Sequence, residues 1–152
     1  MEYTTLNTGA RMPMLGFGVF QVTDLMQCKQ IVLDAIDIGY RLFDTAAVYG
    51  NEAAVGEAIA EAIAMGKVKR EDLFITSKLW VQDMNAYDVD EGIDRSLRNL
   101  GPEYIDLYLL HQAMGDYFSA WRGLEQAYRD GRLMNIGVSN FYPNVLTNFC
   151  ES

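Results

Sequence analysis

Three residues with ionisable side chains stand at equivalent places in this sequence. Asp44, Lys78 and His111 each come at the end of a short apolar segment, and a fourth candidate, Tyr49, follows Asp44 by five positions. A carboxylate at the end of a buried segment is penalised by desolvation unless an opposite charge compensates it. Lys78 supplies that charge, so we predict an Asp44–Lys78 ion pair.

The chemistry that this set predicts is the donation of a proton to an oxygen atom. A free tyrosine phenol, with a pKa of about 10, is a poor donor at neutral pH. A nearby ammonium stabilises the phenolate, so Lys78 would make Tyr49 a better acid while Asp44 holds Lys78 in place. A neutral His111 would orient a carbonyl oxygen beside the phenol. The sequence shows no nucleophile–base pair of the hydrolase type.

Each of these residues also has a purely structural interpretation. Asp44 could start a helix, and Lys78 could be an exposed loop residue. His111 could be a structural imidazole, and Tyr49 could pack against the next helix. A purely structural origin would require all four interpretations to be true at once. Because the residues occupy the same kind of position, we favour a common site instead.

The elements that must position these residues alternate regularly. An N-terminal hairpin is predicted, and short apolar segments then alternate with segments of helical periodicity, which indicates βαβ units and a parallel sheet. The apolar stripes include Ile38 in the first helix and Ile63 in the second. The predicted hairpin pairs 3–6 with 11–14, the predicted strands are 15–20, 41–43, 72–77, 104–110 and 134–139, and the predicted helices are 24–38, 51–65, 89–100, 117–129 and 143–149.

Parallel α/β proteins form either open sheets or closed barrels. The dinucleotide fingerprint of the open type is only half present, in 16–18. In a barrel the carboxyl ends of the strands meet at one face, where active sites lie. We therefore predict an α/β fold of the (β/α)8 TIM-barrel type, in a single domain over residues 1–152.

The composition excludes several classes of function. With 12 basic and 21 acidic residues the net charge is −9, which argues against a nucleic-acid partner. One histidine with Cys28 and Cys150 cannot form an ordinary zinc site, so no metal is expected. No secretory signal and no apolar segment of membrane-spanning length is visible. The prediction is a protein without a membrane partner in a reducing, cytoplasmic setting.

Several motifs, in order, resemble those of the aldo-keto reductase family. They are "GYRLFDTAAVYGNE", "ITSKLW", "DLYLLHQ" and "GVSNF", and the run from "HQAMGDYF" to "GVSNFYP" is similar to bacterial members related to 2,5-diketogluconate reductases. The resemblance implies hydride transfer from NADPH to an aldehyde or ketone, with the protein orienting and protonating the substrate.

The resemblance also implies roles for individual residues. Tyr49 would be the proton donor, Lys78 the residue that sharpens its acidity, Asp44 the partner of Lys78, and His111 the residue that orients the substrate. Ala113 stands where related members often have proline, and Phe20 where they often have tryptophan. The implied cofactor-binding residues are Gly18, Val19, Asp44, Ser139 and Asn140, and the implied substrate pocket is Phe20, Trp80 and His111, although Trp80 could equally be a core residue.

The chain is short for the implied fold. A barrel of this type has eight strands and about 250 residues, whereas this sequence ends in the helix after the fifth strand. We expect the first five βα units only, the nicotinamide end of the NADPH site, and no site for the adenosine phosphate. The hypotheses are a carbonyl reductase, an inactive truncated chain that self-associates through open barrel edges, and a Schiff-base enzyme using Lys78.

Overall fold

A parallel sheet flanked by helices makes up most of the molecule. The computed structural model describes residues 1–101 and 103–152. Within them, strands and helices alternate along the chain as the sequence predicted. The strands are β1 (Tyr3–Thr5), β2 (Arg11–Pro13), β3 (Gly16–Gly18), β4 (Leu42–Asp44), β5 (Phe74–Leu79), β6 (Leu107–Leu110) and β7 (Ile136–Val138), and the helices are α1 (Leu25–Ile38), α2 (Glu52–Ala64), α3 (Val89–Leu100), α4 (Tyr117–Arg129) and α5 (Pro143–Glu151).

The order of the strands distinguishes a barrel from an open sheet. The five strands β3 to β7 lie side by side in chain order and are all parallel. An open doubly wound sheet reverses its order at a switch point, and no reversal occurs in the part of the chain described. The five strands therefore correspond to consecutive strands of a barrel, which confirms the predicted fold class.

Local signals set the ends of the first helix. The Asp24 carboxylate accepts a hydrogen bond of 2.8 Å from the Gln27 amide, which satisfies a free N–H of the first turn. Gly39 ends the helix with a φ of 116°, and its N–H bonds to the carbonyls of Ala35 and Ile36. The predicted stripe was wrong at Ile38, which is 79% exposed, because it lies about 200° around the helix from the buried Ile36.

The core lies between the outer face of the sheet and the helices. Tyr108 and Leu110 point outward from β6 and are fully buried, with the Tyr108 hydroxyl 2.8 Å from Ser96 Oγ of α3. Leu107 and Leu109 alternate with them, face the inner side and stay half-buried. The predicted stripe of the second helix was wrong at Ile63, which is 36% exposed and lies outside this core.

The hairpin of β1 and β2 is antiparallel, as predicted, and Tyr3 pairs with Pro13. At its tip the Thr8 hydroxyl bonds to the side chain of Asn135, which precedes β7. The hairpin thus attaches at the amino-terminal ends of the strands, opposite to the predicted site. Among the described residues, no helix has the length and apolarity that a membrane crossing requires, and no side-chain cluster could hold a metal ion.

Candidate active site

The carboxyl ends of three adjacent strands bring Asp44, Lys78 and His111 together. Asp44 is the last residue of β4, Lys78 is the next-to-last of β5, and His111 directly follows β6. The backbone N–H of His111 still bonds to the carbonyl of Leu79, at 3.2 Å, so the sheet continues up to the site. Parallel pairing therefore places these side chains at one end of the sheet.

Lys78 and Asp44 form a hydrogen-bonded ion pair. Lys78 Nζ lies 2.6 Å from Asp44 Oδ1 and also donates to the Thr45 carbonyl at 3.0 Å. The Lys78 side chain is only 9% exposed, and that of Asp44 is 37% exposed. The ammonium is thus withdrawn from water, and two fixed acceptors compensate its charge.

Tyr49 lies directly beside this pair. It ends a short 3-10 helix, Ala47–Tyr49, that follows β4 and stops at Gly50. Lys78 Nζ is 5.2 Å from the centre of the Tyr49 ring, within the range of a cation–π contact. Within the described ranges, no hydrogen bond joins the phenol to Lys78, so the contact between the two residues is that of the ammonium with the ring. The Phe20 ring packs on Tyr49 at 5.0 Å.

His111 packs between Tyr49 and Trp80. Its ring stands edge-on to Tyr49 at 5.7 Å and to Trp80 at 5.2 Å. Burial, together with the nearby Lys78 charge, lowers the pKa of His111, while Asp44 opposes the shift. The imidazole is therefore neutral at pH 7. Its Nδ1 is buried without a protein partner, which leaves Nε2 as the nitrogen that can meet a ligand.

Ser139 and Asn140 lie beside His111, just after β7. The Ser139 N–H donates to the Leu110 carbonyl at 2.8 Å, which extends the sheet by one residue. Asn140 has a φ of 58°, a left-handed conformation that asparagine tolerates better than most residues. Its side-chain Nδ2 donates to the His111 carbonyl at 2.9 Å and to Ser139 Oγ at 3.1 Å. This pair is therefore tied to the histidine segment.

The residues after β3 divide between the site and the core. Gly18 pairs with Asp44 at the end of the sheet, and a Cβ added there would meet no atom within 4 Å. Val19 is fully buried, and its N–H and carbonyl are bonded to Asp44, Asn51 and Val22, so it belongs to the core. Phe20 is 64% exposed next to Tyr49, and Trp80 is half-buried next to His111. Trp80 is thus part of the wall of the site.

The sequence interpretation missed two polar residues behind the site. Asn51 is 1% exposed and bonds to Thr45 and to two backbone carbonyls. Glu52 is 4% exposed and accepts from Ser77 Oγ at 2.6 Å and from Asn99 Nδ2 at 3.2 Å. Both stand where a helix begins, so in the sequence they look like ordinary capping residues. In the sequence, the one hint of their burial is that this polar pair directly precedes the apolar stripe of α2.

The motifs and this arrangement agree with a family comparison. The model of the aldo/keto reductase family matches residues 14–151. This chain belongs to the aldo/keto reductase family. The family that the motifs predicted is therefore confirmed.

Individual relatives support the same assignment. The chain is 50% identical over 138 residues to the uncharacterized oxidoreductase YtbE of Bacillus subtilis, covering 90% of this chain and 49% of that protein. It is 43% identical over 158 residues to NADPH-dependent codeinone reductase 1-2 of Papaver somniferum, again covering 90% and 49%. The chain thus spans about half the length of the curated relatives it matches.

A solved structure shows the same similarity in three dimensions. The aldo-keto reductase of Bombyx mori, crystallised in complex with NADP, superposes with a TM-score of 0.94 at 37% sequence identity. The superposition covers 99% of this chain and 54% of the other. It therefore includes all five strands of the sheet and the hairpin below them.

Proposed function

We propose that this chain takes part in the NADPH-dependent reduction of an aldehyde or ketone to an alcohol, with Tyr49 as the proton donor. The observation that carries the proposal is the part-buried Asp44–Lys78 ion pair beside Tyr49, with the neutral His111 ring in contact with the Tyr49 ring. These groups suit the protonation of an oxygen. NADPH, when bound, supplies the hydride.

The proton moves from the phenol of Tyr49 to the carbonyl oxygen. As the phenolate forms, the Lys78 ammonium stabilises it, and the low exposure of Lys78 strengthens that effect. Asp44 keeps the ammonium in place before and after the transfer. Because Lys78 Nζ is engaged by the Asp44 carboxylate and the Thr45 carbonyl, it is poorly placed to attack a carbonyl compound as a Schiff-base enzyme would require.

His111 orients the carbonyl oxygen. A buried N–H without an acceptor is rarer than a buried acceptor without a donor. The unpartnered Nδ1 is therefore best left without a proton, which places the proton of the neutral ring on Nε2. From there it can donate a hydrogen bond to the same oxygen that Tyr49 protonates. The lowered pKa of His111 keeps this arrangement at neutral pH.

Ser139 and Asn140 fit the nicotinamide end of the cofactor. Asn140 uses its Nδ2 for internal bonds, so its Oδ1 remains as an acceptor, and Ser139 Oγ accepts from Asn140 and keeps its own proton to donate. A donor next to an acceptor is the complement of a primary carboxamide. The open space over Gly18 beside Asp44 belongs to the same proposed site, and the buried Val19 would support that site from the core.

The experiment combines nucleotide binding with turnover. NADPH fluorescence and the aldehyde-dependent loss of its absorbance are followed for the wild-type chain and for Tyr49→Phe. Removal of the general acid should lower the rate by about 100-fold or more, with NADPH binding and circular dichroism unchanged. A Tyr49→Phe variant as active as the wild type would contradict the proposal.

The structure also favours a second candidate, a chain that acts only by association. In the residues described, β3 and β7 each pair with one neighbour, and Ile136 and Val138 of β7 are half-exposed. Such edges invite pairing with another strand. Oligomers in sedimentation velocity, without NADPH binding, would support this candidate, whereas a monodisperse monomer with a cooperative melt would contradict it.

A further inference from the structure

Asn51 joins two loops that border the proposed site. Its Oδ1 accepts from Thr45 Oγ1 at 2.7 Å, just after β4. Its Nδ2 donates to the carbonyls of Val19 and Val22, at 3.0 and 3.1 Å. The side chain forms no capping bond with α2, so its hydrogen bonds all go to these two loops. Asn51 therefore acts as a clamp rather than as a helix cap.

The segment that Asn51 holds is a strained turn. The Val22 N–H bonds to the Val19 carbonyl at 3.1 Å, so 19–22 is a four-residue turn. Gln21 within it has a φ of 65°, a conformation that favours glycine. Strain of this kind persists only where the surroundings hold the backbone in place. The two bonds from Asn51 provide that restraint, one at each end of the turn.

The turn presents Phe20 to the site. Phe20 is 64% exposed, and its packing partner among the aromatic rings is Tyr49, at 5.0 Å. An exposed side chain on a strained turn has little packing of its own to fix it. The position of the Phe20 ring therefore depends on the backbone of 19–22, and through that backbone on Asn51.

We propose that Asn51 is a positioning residue that fixes Phe20 beside Tyr49 and so limits the size of the carbonyl compound that can reach the phenol. This inference rests on the proposed function for its consequence, but the clamp itself is a property of the chain alone. The requirement for asparagine follows from the contacts. Aspartate would keep the bond to Thr45 but face two carbonyl oxygens with a charge, and alanine would leave the Thr45 hydroxyl and the Val22 carbonyl without this partner, while the Val19 carbonyl would keep its bond from the Val22 N–H.

The first test measures hydrogen exchange of the amides in 19–22 in the full chain. The variants are Asn51→Ala and Asn51→Ser. The serine variant keeps a small polar side chain and serves if the Asn51→Ala protein does not fold. Thr45→Val removes the partner on the other side of the clamp, and Ser96→Ala removes a buried hydrogen bond to Tyr108, away from the turn. Either Asn51 variant should exchange about tenfold faster in 19–22, Thr45→Val should give a smaller increase because both bonds from Asn51 to the turn remain, and Ser96→Ala should give none. Equal exchange in Asn51 and Ser96 variants would overturn the proposal.

The second test asks whether the clamp sets specificity. The ratio of kcat/KM for a bulky aromatic aldehyde to that for a short aliphatic one is compared in the wild type, Asn51→Ala, Phe20→Ala and the double variant. We expect each single change to alter the ratio by about fivefold to tenfold in the same direction, and the double variant to go no further. Independent, multiplicative effects would overturn the proposal. A wild type without turnover would refute the proposed function alone, and hydrogen exchange would then decide the role of Asn51.

Discussion

Replacement of Asp44 by asparagine tests whether the ion pair is part of a buried site or a surface contact. The change replaces the carboxylate opposite the Lys78 ammonium with a neutral amide, so that a side chain only 9% exposed keeps hydrogen-bond acceptors but loses its opposite charge. Loss of one partner from a fully buried pair costs about 3–5 kcal/mol, and from an exposed pair about 0–1 kcal/mol. Because Asp44 itself is 37% exposed, we place the loss between these limits, at about 2 kcal/mol.

The matched control is Asp37→Asn. Asp37 bonds to Lys67 at 2.7 Å, a similar distance, but these side chains are 52% and 30% exposed. Its loss should cost about 0.5 kcal/mol or less. In thermal unfolding followed by circular dichroism, Asp44→Asn should lower Tm by about 4–8 °C and Asp37→Asn by less than about 2 °C. Equal shifts in Tm would refute the reasoning, since burial would then add nothing to the pair.

Two further predictions concern pH and packing. The lowered folded-state pKa of His111 means that the unfolded chain takes up its proton first, so unfolding free energies from urea should fall as pH drops below about 6.5. His111→Gln should weaken that fall, and an identical pH profile would contradict it. A Cβ at Gly56 would lie 1.9 Å from the backbone oxygen of Asn99, whereas one at Gly123 would first meet a side-chain methyl of Val89, at 2.6 Å. Gly56→Ala should therefore cost about 3 kcal/mol or more in denaturant unfolding, and a loss no larger than that of Gly123→Ala would contradict this packing.

The sequence predicted the parts of the fold that repeat. Helical periodicity placed α3 and α4 at the bounds the structure shows, Val89–Leu100 and Tyr117–Arg129. The convergence of Asp44, Lys78 and His111 followed from one rule, that the carboxyl ends of parallel strands share a face. These features depend on regular geometry, which a single sequence encodes well.

The parts that could not be predicted depend on contacts between distant segments. Asn51 looks like a helix cap in the sequence, and only the folded chain shows that its amide faces the carbonyls of Val19 and Val22. Glu52 is buried because Ser77 and Asn99, far along the chain, supply donors. No local pattern reports these pairings, since each requires the relative placement of two loops or two elements.

The central claim is that Lys78 acts on the reaction through Tyr49. The most direct measurement is a double-variant cycle on aldehyde-dependent NADPH oxidation, with Tyr49→Phe, Lys78→Met and the combination of both. We expect each single change to lower kcat/KM by about 100-fold or more, and the double variant to be no slower than the worse single variant. Losses that multiply in the double variant would contradict the account, because the ammonium and the phenol would then act independently.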